Sequence, residues 1–465
     1  MKIEQMLADY IIGLKYEELP LGVVNATKAQ ILNILSVAIG GSGASGMGEL
    51  VGLLKDWGGK PESTVIAFGV KLPAPHAAQA NAAMAHAWDF DDTYNKIMLH
   101  SAVVTVPPAL AVAETRSAVS GKEFIATVAA AVDFGCRMCL VLTAPPGEKE
   151  QLAWHYWHFT ALFGYFMSAA AAGRVLGLNQ EKLLNALGLA YHQAAGNLQS
   201  IREGTQAKRL GPGFACRAGV ASAMMAQRGN TGPKSFIEGE VGFYGLYHPQ
   251  SPYCDLTKLT NNLGRQFENE DISLKPYPCG VVNHTAIDAA LAITRKHEIT
   301  PDAVAEITVF TGEGSYFLCT PLDVKRHPKN AVGTQFSIPW SVATAVAKKR
   351  ASVRDYTDEA AKDPLVHQLT DKIIVELDPA LTGGSIEPTR IRIKTTDGKE
   401  FVHQVDSPLG SPKNPFSPAD AKRKLMDCNS VNVNPMPEEK LDRLIEAVGR
   451  LEEFENINQL IPLLI

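Results

Sequence analysis

The chain has 465 residues, too many for one compact core, and its 46% hydrophobic and 20% charged content is that of an ordinary globular protein. A formal net charge of −5, without a concentrated Lys/Arg run, argues against a nucleic-acid or membrane-surface role, since both need a basic footprint. From Met1 to Pro20, Lys2, Glu4, Asp9, Lys15, Glu17 and Glu18 interrupt the apolar residues, unlike a signal peptide; no run of about 18 uninterrupted apolar residues follows, so a cytoplasmic protein is expected.

Along the first half, apolar residues recur at helical spacing over 23–39, 74–88, 107–118, 122–142, 160–176, 179–194 and 214–228. Pro107 and Pro108 stand where a helix begins, and Gly177 just after one ends. Beyond Gln266 the pattern changes to strand-like runs over 272–276, 304–310, 372–377, 389–395 and 400–405, with Asp397-Gly398 as a hairpin turn between the last two. Helical segments at 283–297 and 336–349 lie among them, and 438–453 is amphipathic. The predicted architecture is a large all-helical domain over 1–266, completed by 408–465, with a smaller α+β domain over 267–407 inserted before the carboxyl-terminal helices.

Two local patterns look like binding motifs and are packing features instead. Gly41, Gly43 and Gly46 fit G-x-G-x-x-G, but the run before them has helical periodicity. The strand candidate at 63–68 ends without the acid that would hold a ribose hydroxyl, so the glycines read as a helix–helix turn. Seven scattered cysteines make no disulfide framework, and Cys136 with Cys139 read as packing within a buried helix.

Polar chemistry concentrates in four places. The run His86-Ala-Trp-Asp-Phe-Asp-Asp-Thr93, with His100 beyond it, puts acids, a hydroxyl and imidazoles at the end of an alanine-rich helix, where packing has no use for them. On a continuing helix Asp89 and Thr93 share a face, with His100 reaching the same ligand from the next loop. Asp89, Asp91 and Asp92 could bind a metal, act like the acid of a protonating terpene cyclase, or serve a carboxylate substrate. Missing further carboxylates and a 7% aromatic content favour the last, with capping as the plain role for Asp91 and Asp92. Trp154, His155, Tyr156, Trp157, His158 and Thr160 form the second group. Lys208 and Arg209 form the third, at the start of a helix over 214–227, where the macrodipole disfavours cations and a bound anion would compensate. Lys275, Cys279 and His284 form the fourth, where the second domain begins.

These segments, read in order, resemble the MmgE/PrpD family, which includes 2-methylcitrate dehydratase, cis-aconitate decarboxylase and iminodisuccinate epimerase. The resemblance rests on H-x-W-D-F-D-D-T, on H-x-T-x-x-F-G at His158 to Gly164, on G-T-x-x-K-R-L from Gly204 and on K-x-Y-P-C-x-x-x-x-H from Lys275. It implies a homodimeric, two-domain enzyme for a small di- or tricarboxylate, without metal or organic cofactor. Lys208 and Lys275, with Arg209, would bind carboxylates and ease formation of a carbanion. His100 or His158 would move the proton, Asp89 would orient an imidazole, and Thr93 would hold a substrate oxygen. Dehydration is the leading reaction, decarboxylation or epimerisation the alternatives, and a non-catalytic carboxylate-binding protein the rival from another class.

Three departures bear on the substrate. Trp340 stands where the family's F-S-x-x-Y segment has Tyr, Gly211 replaces a frequent histidine, and 94–99 replaces a short polar stretch. With Trp154, Tyr156, Trp157, Met98 and Leu99, Trp340 would build an apolar wall and favour a carboxylate bearing an alkyl or aryl group.

Overall fold

The computed structural model describes residues 2–144, 156–249, 251, 253–383 and 386–465, and everything below refers to these. Trp154 and His155 lie outside them.

The amino-terminal part is helical, built around two long helices. Ala207–Gln227 packs on Phe159–Val175 and on Ala74–His86, which in turn packs on Leu21–Gly41. Close approach explains the glycines: a Cβ at Gly41 would fall 1.8 Å from the Met84 carbonyl oxygen, and one at Gly213 2.7 Å from that of Gln79. Leu21–Gly41 is long and apolar enough to cross a membrane, but 67% of its apolar window is buried inside the protein, as in a core helix. Gly41 ends this helix and Met47–Trp57 follows, which makes the glycine-rich stretch the connection between two helices. Only Ser63–Thr64 of the 63–68 segment forms strand. Cys136 and Cys139 are buried in Gly121–Leu140, where burial raises both thiol pKa values well above the ordinary range.

One apolar core gathers residues from Leu7 to Ile272, Val353, and Leu425 to Leu464. The carboxyl-terminal helices Pro418–Asn429 and Glu438–Gly449 therefore belong with the amino-terminal helices, and a Cβ at Gly40 would approach the Cα of Cys428 to 2.9 Å. A second core runs from Cys279 to Ile393. Its sheet has the spatial order Ile373–Leu377, Val304–Thr311, Thr389–Thr395, Glu400–Val405; the first pair is parallel and the others antiparallel. The helices His284–Lys296 and Ile338–Lys348 pack against each other beside it. This is a large helical arrangement with a smaller α+β one.

A short antiparallel pairing closes the first core just before the second begins. Asp92–Tyr94 pairs with Ile272–Leu274, setting Asp92 opposite Leu274 and Thr93 opposite Ser273. Asp91 and Lys275, the residues flanking that pair, are thereby brought close.

Candidate active site

The helix Ala74–His86 stops at His86, so Asp89 and Thr93 are not stacked on one helical face as their spacing suggested. Asp89 adopts φ 51°, a left-handed turn conformation that Asp tolerates through local hydrogen bonding, and Thr93 lies in the strand. The turn aims the three acids in different directions.

Asp89 faces two lysines. Lys208 Nζ donates to Asp89 Oδ1, while Lys275 Nζ donates to Asp89 Oδ2 at 3.0 Å and to the Asp89 carbonyl at 2.9 Å. Burial alone would raise the Asp89 pKa, but Lys208 and then Lys275 hold it well below the carboxylate range. Burial lowers that of Lys208, partly offset by Asp89. The helix carrying Lys208 starts at Ala207, earlier than its Gly211-Pro212-Gly213 stretch suggested, because these glycines serve close packing rather than a break. Lys208 and Arg209 thus sit in its first turn, and the anion compensating Lys208 is the protein's own Asp89. Arg209 is buried and donates to the Ser45 carbonyl at 3.3 Å.

Asp89 accordingly orients no imidazole; Asp91 does. His86 Nδ1 lies 2.7 Å from Asp91 Oδ2, and His100 Nδ1 lies 3.7 Å from the same oxygen. His100 Nδ1 also meets the Asp92 carbonyl at 2.6 Å and Thr93 Oγ1 at 3.3 Å, while its main-chain N–H donates to Thr160 Oγ1 at 3.0 Å. Asp92 has the capping role: its carboxylate accepts from the main-chain N–H groups of Ser101 and Ala102 and the Ser101 hydroxyl, where Ala102–Val104 begins. Burial and then Asp91 raise the Asp92 pKa to about 6.

Three imidazoles cluster. The His86 ring stacks on His158 at 5.5 Å and meets His100 edge-on at 4.9 Å. Burial, more than the neighbouring charges, keeps all three well below the usual histidine pKa, so each is neutral near pH 7. His86 Nε2, His158 Nε2 and Asp91 Oδ1 are buried without a hydrogen-bond partner, a cost that a bound polar ligand would relieve. Lys208, His100 and His158 keep 7–8% exposure, whereas His86, Asp91 and Lys275 have at most 1%. The former set forms the approachable front of the cluster and the latter its back. Position 211 lies against the cluster, because a Cβ there would stand 3.4 Å from His158 Nδ1, at ordinary contact distance.

Donor atoms of His86, Asp89, Asp91 and His100 lie within 4.8 Å of one another, as a metal site requires. The donor chemistry fits a cation poorly, since Lys208 and Lys275 already hold Asp89 and Lys275 Nζ stands 4.0 Å from Asp91 Oδ1. A metal ion would face two ammonium groups.

Other expected residues pack into the two cores or face solvent. Trp340 is fully buried in the second core, with its ring against His367 and Nε1 3.5 Å from the Asp355 carbonyl. Tyr156 is 75% exposed, and Trp157 packs against Tyr247. Leu99 is core, while half-buried Met98 packs against the second core. Phe336 is an apolar residue beside Lys208, with its ring centre 5.5 Å from Lys208 Nζ. His284 is buried, with Nε2 3.3 Å from the Cys279 carbonyl and its pKa lowered by burial to about 3. Burial pushes the Cys279 thiol up to about 12, unsuited to a nucleophile. Sequence reasoning missed His86 and the pairing role of Asp91; the signal was the five-residue spacing within H-x-W-D-F-D.

Comparison with known proteins bears on the whole chain. It is 25% identical to cis-aconitate decarboxylase of Mus musculus, over 99% of this chain and 93% of that protein. It is 24% identical to cis-aconitate decarboxylase of Aspergillus terreus, over 97% of this chain and 94% of that one. With 2-methylcitrate dehydratase of Escherichia coli it shares 26% identity over 62% of this chain and 61% of that one. Residues 5–253 match the MmgE/PrpD N-terminal domain and residues 277–450 the MmgE/PrpD C-terminal domain, so the chain belongs to the MmgE/PrpD family.

Proposed function

We propose that this protein is a lyase acting on a small di- or tricarboxylate, with loss of water as the leading reaction. The observation that carries it is the buried set of neutral imidazoles, two with an unpartnered Nε2, beside two lysines that share one aspartate. Asp89 has two ammonium partners, and although Asp91 also stands 4.0 Å from Lys275, a substrate carboxylate placed against the lysines would be held by charge-assisted hydrogen bonds. Removal of a proton from the adjacent carbon moves negative charge onto that carboxylate, which the lysines stabilise.

His100 and His158, on the approachable front, are the groups for proton transfer. The neutral imidazole that accepts the proton from carbon becomes the imidazolium that returns it to the departing hydroxyl, so water leaves and the site regains its charge. His86, fixed by Asp91, stands behind them as support. Thr93 and Arg209 help to place the substrate. No step in this scheme calls for a metal or an organic cofactor.

Decarboxylation is the second reading, favoured by similarity to the decarboxylases along almost the entire chain, against about three-fifths of it for the dehydratases. Incubation with 2-methylcitrate, citrate, cis-aconitate and their 2-alkyl analogues in heavy water, followed by NMR and carbon dioxide release, tests both. An unsaturated acid formed with loss of water supports the leading reading, and released carbon dioxide supports the second. Deuterium uptake without net product points to an epimerase. Binding without any turnover or exchange overturns the enzymatic reading in favour of a carboxylate-binding protein.

A further inference from the structure

Behind the cluster, the carboxyl-terminal helix Pro418–Asn429 sends Lys424 between the two segments that carry the site. Its Nζ donates to the Phe90 carbonyl at 2.6 Å and to the Lys275 carbonyl at 2.7 Å, and stands 3.9 Å from the centre of the Phe90 ring. Phe90 lies between Asp89 and Asp91, so one ammonium group bridges the turn bearing both acids and the residue whose own Nζ grips Asp89.

We propose that Lys424 is a positioning residue that holds the Asp89–Asp91 turn and Lys275 in catalytic register. The inference rests on the reading of those residues as the active site.

Packing does not account for this lysine. It is 5% exposed, and its two hydrogen-bond partners are main-chain carbonyls rather than carboxylates, a costly setting for an ammonium that a methionine of similar length would avoid. Burial pushes its pKa down to about 7, against the pull of Cys428, Asp91 and Asp92 and with the push of Lys275. A neutral amine keeps two N–H donors, so the bridge survives loss of the proton. The helix Pro418–Asn429, held to the amino-terminal helices by their shared apolar core, thereby also forms the rear wall of the site.

The test compares Lys424→Met with Lys422→Met, a change on the same helix at a half-buried lysine paired with Glu438 and Asp442. Removing the bridge leaves two buried carbonyls unpaired and lets the turn shift. Lys424→Met is expected to lower kcat at least about tenfold, as displacement of catalytic groups does, and to displace the acidic limb of the kcat/KM–pH profile. Lys422→Met is expected to leave both unchanged. Folded Lys424→Met with the parent kcat and pH profile overturns the proposal, even if its melting temperature falls. Should Lys424→Met fail to fold, Lys424→Gln, which keeps an N–H donor, is read in its place: lower kcat with a displaced limb supports the proposal, and parent values overturn it. Asp89→Asn and Lys275→Met separate the two readings. If these keep full activity, the active-site assignment fails; if they abolish it while Lys424 variants match the parent, only the positioning role fails.

Discussion

Lys275 donates to both the side-chain carboxylate and the main-chain carbonyl of Asp89, at 3.0 and 2.9 Å, and so fixes the turn as well as its charge. The lysines of this site therefore hold its structure together as well as supplying its positive charge.

Lys208→Ala is expected to reduce turnover at least about a hundredfold, the scale of one lost charge-stabilising contact. It should also lower stability by about 1–3 kcal/mol, because Asp89 loses one buried partner and keeps Lys275. Sequence reasoning alone, with Lys208 as a free carboxylate clamp, would leave stability nearly unchanged. Thermal melts and turnover on the same samples check this; a Lys208→Ala protein as stable as the parent would contradict the ion-pair geometry.

His100→Gln and His158→Gln should each lower activity by roughly two to four orders of magnitude as proton carriers. Asp91→Asn should cost about a hundredfold through lost orientation. It should also move the acidic limb of the kcat/KM–pH profile to lower pH, since burial already lowers the His100 pKa and Asp91 is the charge that pulls it back up. A limb that stays in place, or moves to higher pH, would show that His100 is not the titrating base.

Stability should fall as pH drops below about 6.5, the ordinary histidine value. The folded-state pKa values of His86, His100, His158, His248 and His284 all lie below it, so the unfolded chain takes up protons that the folded chain refuses. The stabilisation is complete above the unfolded value and is lost towards the folded ones. Asp92 and Asp427, both raised to about 6, act in the opposite sense as they protonate first in the folded state, so the net slope is less than the histidine sum. Denaturant melts at pH 7 and pH 5 measure it, and His158→Gln should flatten the dependence. Equal stability at the two pH values would contradict the buried neutral state of these rings.

Trp340→Tyr should lower stability by about 1–3 kcal/mol, as core changes do, and leave the order of substrate preference unaltered. Phe336→Ala, beside Lys208, is the change that should broaden acceptance of 2-alkyl substituents. A Trp340→Tyr enzyme that gains activity on citrate relative to its 2-alkyl analogues would restore Trp340 to the pocket wall.

Helical periodicity over 74–88 and 160–176, the alternating runs at 389–395 and 400–405 and the turn at Asp397-Gly398 were readable without coordinates, because helix and strand periods report a local burial pattern. The motifs likewise named Asp89, His100, His158, Lys208 and Lys275 before any contact was known. Their partners were not readable. The helix could have run on through Asp89, and only its end at His86 with the left-handed turn at Asp89 sends that carboxylate to the lysines and gives the imidazole to Asp91. Trp340 read as pocket wall because a large aromatic residue looks the same at a core and at a cavity. Lys424, 149 residues from Lys275, carries no local signal at all. Periodicity and motif depend on neighbours along the chain, whereas ion pairing, burial and their pKa shifts depend on distances that exist only after Thr93 pairs with Ser273 and the last helices close on the first.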